Sequence, residues 1–221
     1  MRKARPFLKP RYALAATAGL LAVPLLAACG GEEHPGAAAV LQNDRITMSQ
    51  LQAHVGAVRD AQRAQPQADE IIKQTGQLNR SALNSMIFDR VAAKAASNAG
   101  VKVSNGELQS FHDRMVQQAG GQKAFETGLV QQYGVAPGKQ TDDFIRIQVL
   151  GDKLTRALGV RPGTPEAQPK LMAALAEASK QLKIDVNPRY GSWNDTKVQL
   201  DGTKLSWVKQ VTGGGKGTAQ S

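Results

Sequence analysis

Apolar residues recur at intervals of three and four positions along most of the chain, which is the pattern of amphipathic helices. Long stripes of this kind are marked by Met48, Leu51, Val55 and Val58; by Leu83, Met86, Ile87 and Val91; by Leu108, Phe111 and Met115; by Phe144, Ile147, Leu150, Leu154 and Leu158; and by Leu171, Leu175, Ala178 and Leu182. A shorter stripe contains Phe125, Leu129 and Tyr133. The pattern predicts five or six helices that each bury one face, so the fold is expected to be mainly α-helical.

Local capping signals mark where several of these helices begin and end. Thr47 with Gln50, and Ser104 with Glu107, have the spacing of a capping box, in which each partner satisfies a backbone donor of the other. Glycines follow several stripes and predict helix ends, with a left-handed end expected at Gly100. These glycines are Gly100, Gly120, Gly121, Gly134 and Gly159.

Two parts of the helical region are less regular. Thr164 followed by Pro165 is a favoured pair for an N-cap and a first helical position, so the last helix is expected to begin there. Residues 66–76, between the first two long helices, indicate a loop or a loosely helical connection.

Short apolar segments near opposite ends of the helical region predict a small β element. Residues 37–42 form an apolar run that ends at Asn43 and Asp44, which favour tight turns. This pattern predicts a strand, a turn and then the first helix. Near the other end, Ile184 and Val186 alternate with a polar residue, as in a strand. We expect the two strands to pair and to clasp the chain ends beside the helices.

A hairpin is predicted after the second of these strands. An aspartate-glycine pair at positions 201–202 is a strong signal for a two-residue hairpin turn. With that turn, Leu200 would pair with Thr203, and Val198 would pair with Leu205.

The remaining C-terminal positions predict packing and then disorder. Tyr190 and Trp193 are expected to pack the closing strand against the helices. Residues 209–221 are glycine-rich and polar, so we expect a disordered tail there.

The N-terminal segment has the pattern of an export signal. The first eleven residues carry five cations and no acid, and residues 13–28 are uncharged. The uncharged stretch is interrupted by Gly19 and Pro24, and it is shorter than the roughly 20 apolar residues that span a bilayer. It therefore predicts a signal peptide of residues 1–28 rather than a membrane helix.

Cys29, the single cysteine of the chain, directly follows this segment. The sequence Leu26-Ala27-Ala28-Cys29 resembles the lipobox of bacterial lipoproteins, which implies cleavage before Cys29 and lipidation of its thiol. Two or three acyl chains anchor a protein firmly, at about 0.8 kcal/mol per buried methylene. The alternative is a chance cysteine in a signal peptide. We expect a membrane anchor at Cys29, with residues 29–36 as a flexible tether.

The anchor would place the protein on the extracytoplasmic face of the cell membrane, or of the outer membrane where the cell has one. Half of the formal net charge of +10 comes from the five cations of the signal segment. The remaining chain is mildly basic, which weakens the case for a nucleic-acid partner. It is long enough for one domain with its own core. It is shorter than the roughly 250 residues expected of a two-lobed solute-binding lipoprotein.

Three stretches of the sequence resemble one family. Residues 38–47 are similar to its strand, turn and Ile-Thr helix entry, residues 104–108 to its VSxxEL helix start, and residues 185–193 to its xVNPRYGxW closing segment. Together they resemble the N-terminal chaperone domain of SurA-type and PrsA-type extracytoplasmic foldases, a fold similar to the client-binding part of trigger factor. The resemblance implies a helical domain over residues 37–208 that binds unfolded or exported client proteins.

The sequence departs from this family in one respect. Full foldases of this kind insert a parvulin prolyl-isomerase domain before the closing strand. Here only residues 160–183 lie between the last core helix and that strand, and they predict a single helix. We therefore expect no isomerase domain and no enzyme activity.

Few residues suggest metal, nucleotide or acid-base chemistry. His34 lies in the tether, and His54 and His112 lack a carboxylate or cysteine at metal-ligand spacing, so we expect solvated histidines rather than ligands. The glycine-rich stretch 213–218 differs from a phosphate loop because a glycine follows Lys216 and no helix is predicted after it. No pair of carboxylates stands out in a pocket-like context. We expect neither a metal nor a cofactor.

The candidate binding site is a set of aromatic and methionine side chains on the helical stripes: Phe111, Met115, Phe125, Tyr133 and Phe144. Such side chains suit promiscuous binding because they adapt to different partners. The alternative is that they form ordinary core.

Two other functions stay open. The domain could be a helical scaffold that recruits one specific envelope or cell-wall partner, or a prolyl isomerase with an unrecognised site. The sequence leaves the client and the oligomeric state open.

Overall fold

The computed structural model describes residues 35–202. The α-helices are α1 (Met48–Arg63), α2 (Ala68–Gln74), α3 (Leu78–Asn98), α4 (Asn105–Ala119), α5 (Gln122–Gly128), α6 (Lys139–Ala157) and α7 (Ala167–Leu182). The strands are β1 (Ala37–Leu41), β2 (Asp44–Thr47), β3 (Ile184–Val186), β4 (Ser192–Asn194) and β5 (Gln199–Asp201). A π-helical turn, Leu129–Tyr133, follows α5, and a 3₁₀ turn, Pro188–Tyr190, follows β3. The predicted mainly helical fold with a small β element is confirmed.

Several predictions concern parts of the chain outside the described residues. These are the signal peptide, Cys29, most of the tether including His34, the segment after Gly202 and the glycine-rich tail. Within the described part, no helix combines the length and the hydrophobicity needed to span a bilayer.

The predicted clasp between the two ends of the domain is confirmed. β1 is the central strand of a three-stranded sheet with the order β2-β1-β3. It pairs antiparallel with β3, so that Ala39 faces Val186 and Val40 faces Asp185. Just beyond β3, the backbone amide of Asn187 donates to the carbonyl of Ala38 at 3.0 Å.

The main core surrounds α3, which contacts α1, α6 and α7. Leu83, Ile87 and Val91 on α3 are fully buried, and they belong to one cluster with Leu41 and Ile46 of the sheet. The clasp and the central helix therefore share one hydrophobic core. A second cluster lies where α4, α5 and α6 meet, and its buried members are Phe125, Leu129, Ile145 and Val149.

Both predicted capping boxes are present. The Thr47 side chain accepts from the Gln50 amide at the start of α1, and Ser104 with Glu107 forms the equivalent pair at the start of α4. Glu107 also pairs with Lys153 on α6. Hydrogen bonds from Lys153 and then from Ser104 lower the pKa of Glu107 to about 2. The cap of α4 thus also ties that helix to α6.

The sequence predicted a strand, a turn and then the first helix, and it missed β2, which lies between the turn and α1. β2 pairs with β1, with Leu41 opposite Asp44, so the turn consists of Gln42 and Asn43 rather than Asn43 and Asp44. Gln42 adopts a left-handed φ of +48°. With only four residues, β2 is too short to display a clear period-two pattern.

The predicted start of the last helix was wrong. α7 begins at Ala167 rather than after Thr164, and no side chain caps it. The Thr164 hydroxyl instead donates to the Arg161 carbonyl at 3.0 Å. Thr164 is therefore used in a turn that precedes the helix. The uncertain segment 66–76 contains α2, which is consistent with a helical connection.

The structure contains a hairpin that lies before the predicted turn at residues 201–202. β5 pairs with β4, with Leu200 opposite Trp193, and the connecting turn ends at Val198. Val198 is not in a strand, because it adopts a left-handed φ of +52° while its side chain is buried. The partners predicted for this hairpin, Thr203 and Leu205, lie outside the described residues.

Tyr190 and Trp193 pack against the main core, as expected. The Trp193 indole donates to the Ser179 hydroxyl on α7 at 2.7 Å, and Ser179 in turn donates to the Asp195 carboxylate. The Tyr190 hydroxyl lies 3.6 Å from the Met48 sulfur on α1. The segment after the clasp is thereby held to the first and last helices.

We predict that Leu41→Ala lowers the free energy of unfolding by about 2 to 5 kcal/mol, because Leu41 is buried where the clasp meets the core. Urea denaturation measures the change. Val40→Ala is the matched control on the same strand, and it should cost under about 1 kcal/mol because Val40 is only half-buried. Equal losses in the two variants would contradict the placement of the core.

Candidate functional site

The five predicted site residues are not equally accessible. Phe125 is 3% exposed and belongs to the second core cluster, while Phe111, Met115 and Phe144 are half-buried around it. Tyr133 is 62% exposed and is the one large apolar side chain left exposed in the described part of the chain. The set therefore combines core residues with one surface aromatic.

The structure brings four of these five residues to one depression. Met115, Phe125, Tyr133 and Phe144 line a cleft of about 400 Å³ between α4, α5 and α6, which we call cleft A. No charged side chain lines it. Phe111 faces a different, polar cleft, where the Arg114 guanidinium lies 5.5 Å from its ring centre.

Tyr133 and Phe144 form an aromatic pair at the edge of cleft A. Their ring centres are 5.3 Å apart and their planes are tilted by 47°. Tyr133 is the last residue of the π-helical turn, which Gly134 ends with a left-handed φ of +61°. The glycine permits the reversal that brings Tyr133 against α6.

A second depression, cleft B, lies on the other side of this pair. It has a volume of about 250 Å³ and lies between α1, α3, α6 and the segment after Tyr133. Tyr133 and Phe144 line both clefts. Most of the remaining apolar lining comes from Val58, Leu78, Ala82, Phe88, Val135 and Ile147.

A third depression, cleft C, continues the series. It has a volume of about 350 Å³, it lies between α3, α6 and α7, and it shares Phe88, Ile147 and Gln148 with cleft B. Clefts A, B and C therefore follow one another along α6. We call this series the α6 track.

Cleft B differs from cleft A because it contains two carboxyl groups and a histidine. Asp89 of α3, Asp143 of α6 and His54 of α1 all line it. Burial, and then the negative charge of Asp143, raise the pKa of Asp89 to about 6, against the weaker opposing effects of Arg90 and Lys139. Asp89 therefore changes charge close to neutral pH.

His54 is half-buried rather than solvated. Burial lowers its pKa, and Lys139 adds to this effect, whereas Asp143 opposes it. The imidazole is consequently neutral at pH 7. His112 is also half-buried, with its ring edge against Phe125 at 5.6 Å between centres. Residues 35–202 contain no group of three histidine, cysteine or acidic side chains that could hold a metal ion.

Sequence patterns do not reveal the residues that distinguish cleft B. They single out neither Asp89 nor any pair of carboxylates in a pocket. Asp89 and Asp143 lie 54 positions apart in the sequence. They meet only because α3 and α6 pack side by side. No spacing rule within one helix could have indicated this pair.

Comparison with known proteins gives one family. The model of the SurA-like N-terminal domain matches residues 11–134. Among curated proteins, Chaperone SurA of Burkholderia pseudomallei is 27% identical over 161 residues, which are 73% of this chain and 33% of the relative. Chaperone SurA of Burkholderia lata is 26% identical over 204 residues, which are 90% of this chain and 42% of the relative.

The chain thus spans between about a third and two fifths of the length of these relatives. No solved structure gives a significant match.

We predict that Asp89→Asn raises the free energy of unfolding by about 1 to 2 kcal/mol at about pH 7.5, after allowance for solvent screening. The raised pKa means that ionised Asp89 is destabilising in the folded protein. The wild type should therefore lose stability relative to the variant as the pH rises from about 4 to about 7. Urea denaturation over this range measures the difference, which should vanish below about pH 4.

Asp113→Asn is the control for this measurement, because Asp113 is exposed on α4 and does not line the α6 track. It should alter stability by less than about 0.5 kcal/mol. A destabilised Asp89→Asn protein at about pH 7.5 would contradict the electrostatic account of cleft B.

Proposed function

Because the chain belongs to the SurA-like N-terminal domain family, we propose that it is a chaperone that binds unfolded segments of exported proteins along the α6 track. Family membership supports a chaperone-like role, since the relatives are named chaperones. The observation that carries the proposal is the exposed ring of Tyr133, which stands between clefts A and B and lines both of them.

The form of the track suits an extended polypeptide. Clefts A and B adjoin at Phe144, clefts B and C adjoin at Ile147, and Thr155 lies at the far part of cleft C. Phe144 and Thr155 are about 17 Å apart along α6 at 1.5 Å per residue. An extended chain covers this distance with about five or six residues at roughly 3.3 Å each. Alternate apolar side chains of such a segment would enter successive clefts.

Binding along the track is passive and of low sequence specificity. The clefts are open to solvent, so each apolar side chain of a client leaves water only in part, at about 25 cal/mol per Å² of buried surface. Methionine and aromatic rings in cleft A can adjust to different side chains. Several weak contacts between one client segment and the successive clefts then together hold the client. The domain acts by binding and carries out no catalytic step.

The segment between α6 and β3 supports a chaperone that works without an inserted isomerase. α7 and its preceding turn fill that segment, and α7 packs against α3 in the main core. The helix therefore completes the client-binding domain, and we infer that no further domain interrupts it there.

The lipobox sequence supports attachment of the protein to a membrane. Diacylation at Cys29 after export would hold the domain at the extracytoplasmic surface. A lipid tether raises the local concentration of the domain where clients emerge. At such a local concentration, weak contacts with each cleft are sufficient to hold a client.

We predict that Tyr133→Ala weakens aggregation suppression by the full chain at least several-fold, because the substitution removes the ring that both clefts A and B share. The free energy of unfolding should change by no more than about 1.5 kcal/mol, since the substitution removes one aromatic contact with Phe144 and most of the ring is already in water. Light scattering of an unfolded model protein measures the effect. The scaffold alternative would be favoured if the wild type did not suppress aggregation.

Gln131→Ala is the matched control for that substitution. Gln131 lies in the same π-helical turn, is exposed, and does not line the track. Its substitution should leave aggregation suppression unchanged. Equal losses in both variants would show that the turn, rather than the Tyr133 ring, is responsible.

We also predict that the full chain, expressed in a bacterium, fractionates with membranes and incorporates labelled palmitate. Cys29→Ser should abolish the labelling because the acyl acceptor is removed. Recovery of unlabelled wild-type protein in the soluble fraction would contradict lipid anchoring and would leave the binding proposal untouched.

A further inference from the structure

We propose that cleft B selects client segments in which a lysine or arginine lies beside a large apolar residue. This inference rests on the proposed function, and it specifies the client chemistry that one part of the α6 track prefers. The apolar side chain enters cleft B, and the cation pairs with the Asp89 carboxylate at the side of the cleft.

The lining of cleft B fits an apolar side chain. Val58 of α1, Phe88 of α3 and Ile147 of α6 approach it from three helices. The cleft has a volume of about 250 Å³ and opens to the surface of the domain. These side chains offer a leucine or phenylalanine of a client an apolar surface to pack against.

Asp89 supplies the charge complementarity. Within residues 35–202, no hydrogen bond or ion pair joins the Asp89 carboxylate to another side chain, although the group is largely removed from water. The nearest cations are engaged elsewhere. Arg90 pairs with Asp44 and with the Met86 carbonyl, and Lys139 pairs with Asp143 at 2.6 Å.

The charged groups around cleft B favour the binding of a cation. His54 from α1 is neutral, Asp89 and Arg90 come from α3, and Asp143 and Lys139 come from α6. Arg90 and Lys139 each form an ion pair with another carboxylate, so among the described residues no cation forms an ion pair with Asp89. A client ammonium or guanidinium would form a charge-assisted hydrogen bond with it.

Cleft A provides an internal contrast, because no charged side chain lines it. The preference for a cation is therefore assigned to cleft B and not to the track as a whole. The raised pKa of Asp89 supports the same assignment, since a carboxyl group that is costly to ionise gains most from an incoming cation.

Two labelled eight-residue peptides test the inference, one with a central Lys-Phe pair and one with Gln-Phe in its place. We expect the full chain to bind the lysine peptide about fivefold to tenfold more tightly at about pH 7.5, as measured by fluorescence anisotropy. Asp89→Asn should bind both peptides equally, at the affinity of the glutamine peptide. The preference of the wild type should also fall as the pH drops through 6, because Asp89 takes up a proton.

Asp113→Asn is the matched control, because it removes the same charge from a site outside the track. It should keep the preference. Equal binding of the two peptides by the wild type would overturn the inference and leave the proposed function standing. A preference that survives in Asp89→Asn, or that disappears equally in Asp113→Asn, would also overturn it. Binding of neither peptide would count against the proposed function itself.

Discussion

The backbone pairing between β1 and β3 is the constraint on which the rest of the domain depends. β1 precedes all the described helices and β3 follows them, yet the two strands are hydrogen-bonded neighbours in one sheet. β1 also pairs with β2 on its other edge, so both edges of the central strand are satisfied. This closure fixes the first and last helices against α3, and it buries Leu41 and Ile46 in the same cluster as Ile87.

The site follows from that closure through α3 and α6. α3 is held by the clasp on one side and packs against α6 on another, so Phe88 and Asp89 line the same cleft as Phe144 and Asp143. The second core cluster then supports α4, α5 and the π-helical turn that carries Tyr133. The helices thus hold a surface on which the Tyr133 ring is exposed. This arrangement is consistent with the proposed binding of varied extended segments.

Sequence patterns predict the parts of this fold that local chemistry determines. The capping boxes at Thr47 and Ser104 depend on side chains three positions apart, so residue spacing alone is enough to recognise them. β2 and β4 are four and three residues long, which is too short for a clear alternation. The aromatic residues stand out as a set, but the sequence cannot distinguish buried Phe125 from exposed Tyr133. Asp89 cannot be identified from the sequence because its charge environment is formed by residues of different helices.

Native-state hydrogen exchange tests the central role of the clasp most directly. The Asn187 amide, which donates to Ala38 across the closing strands, is the reporter, and the amides of Ile87 and Val91 in the middle of α3 are the reference. If the clasp and the central helix form one cooperative unit, these amides open with the same free energy, equal to that of global unfolding. Exchange at Asn187 that is faster by several orders of magnitude, with α3 still protected, would show that the helices hold together without the clasp and would contradict this account.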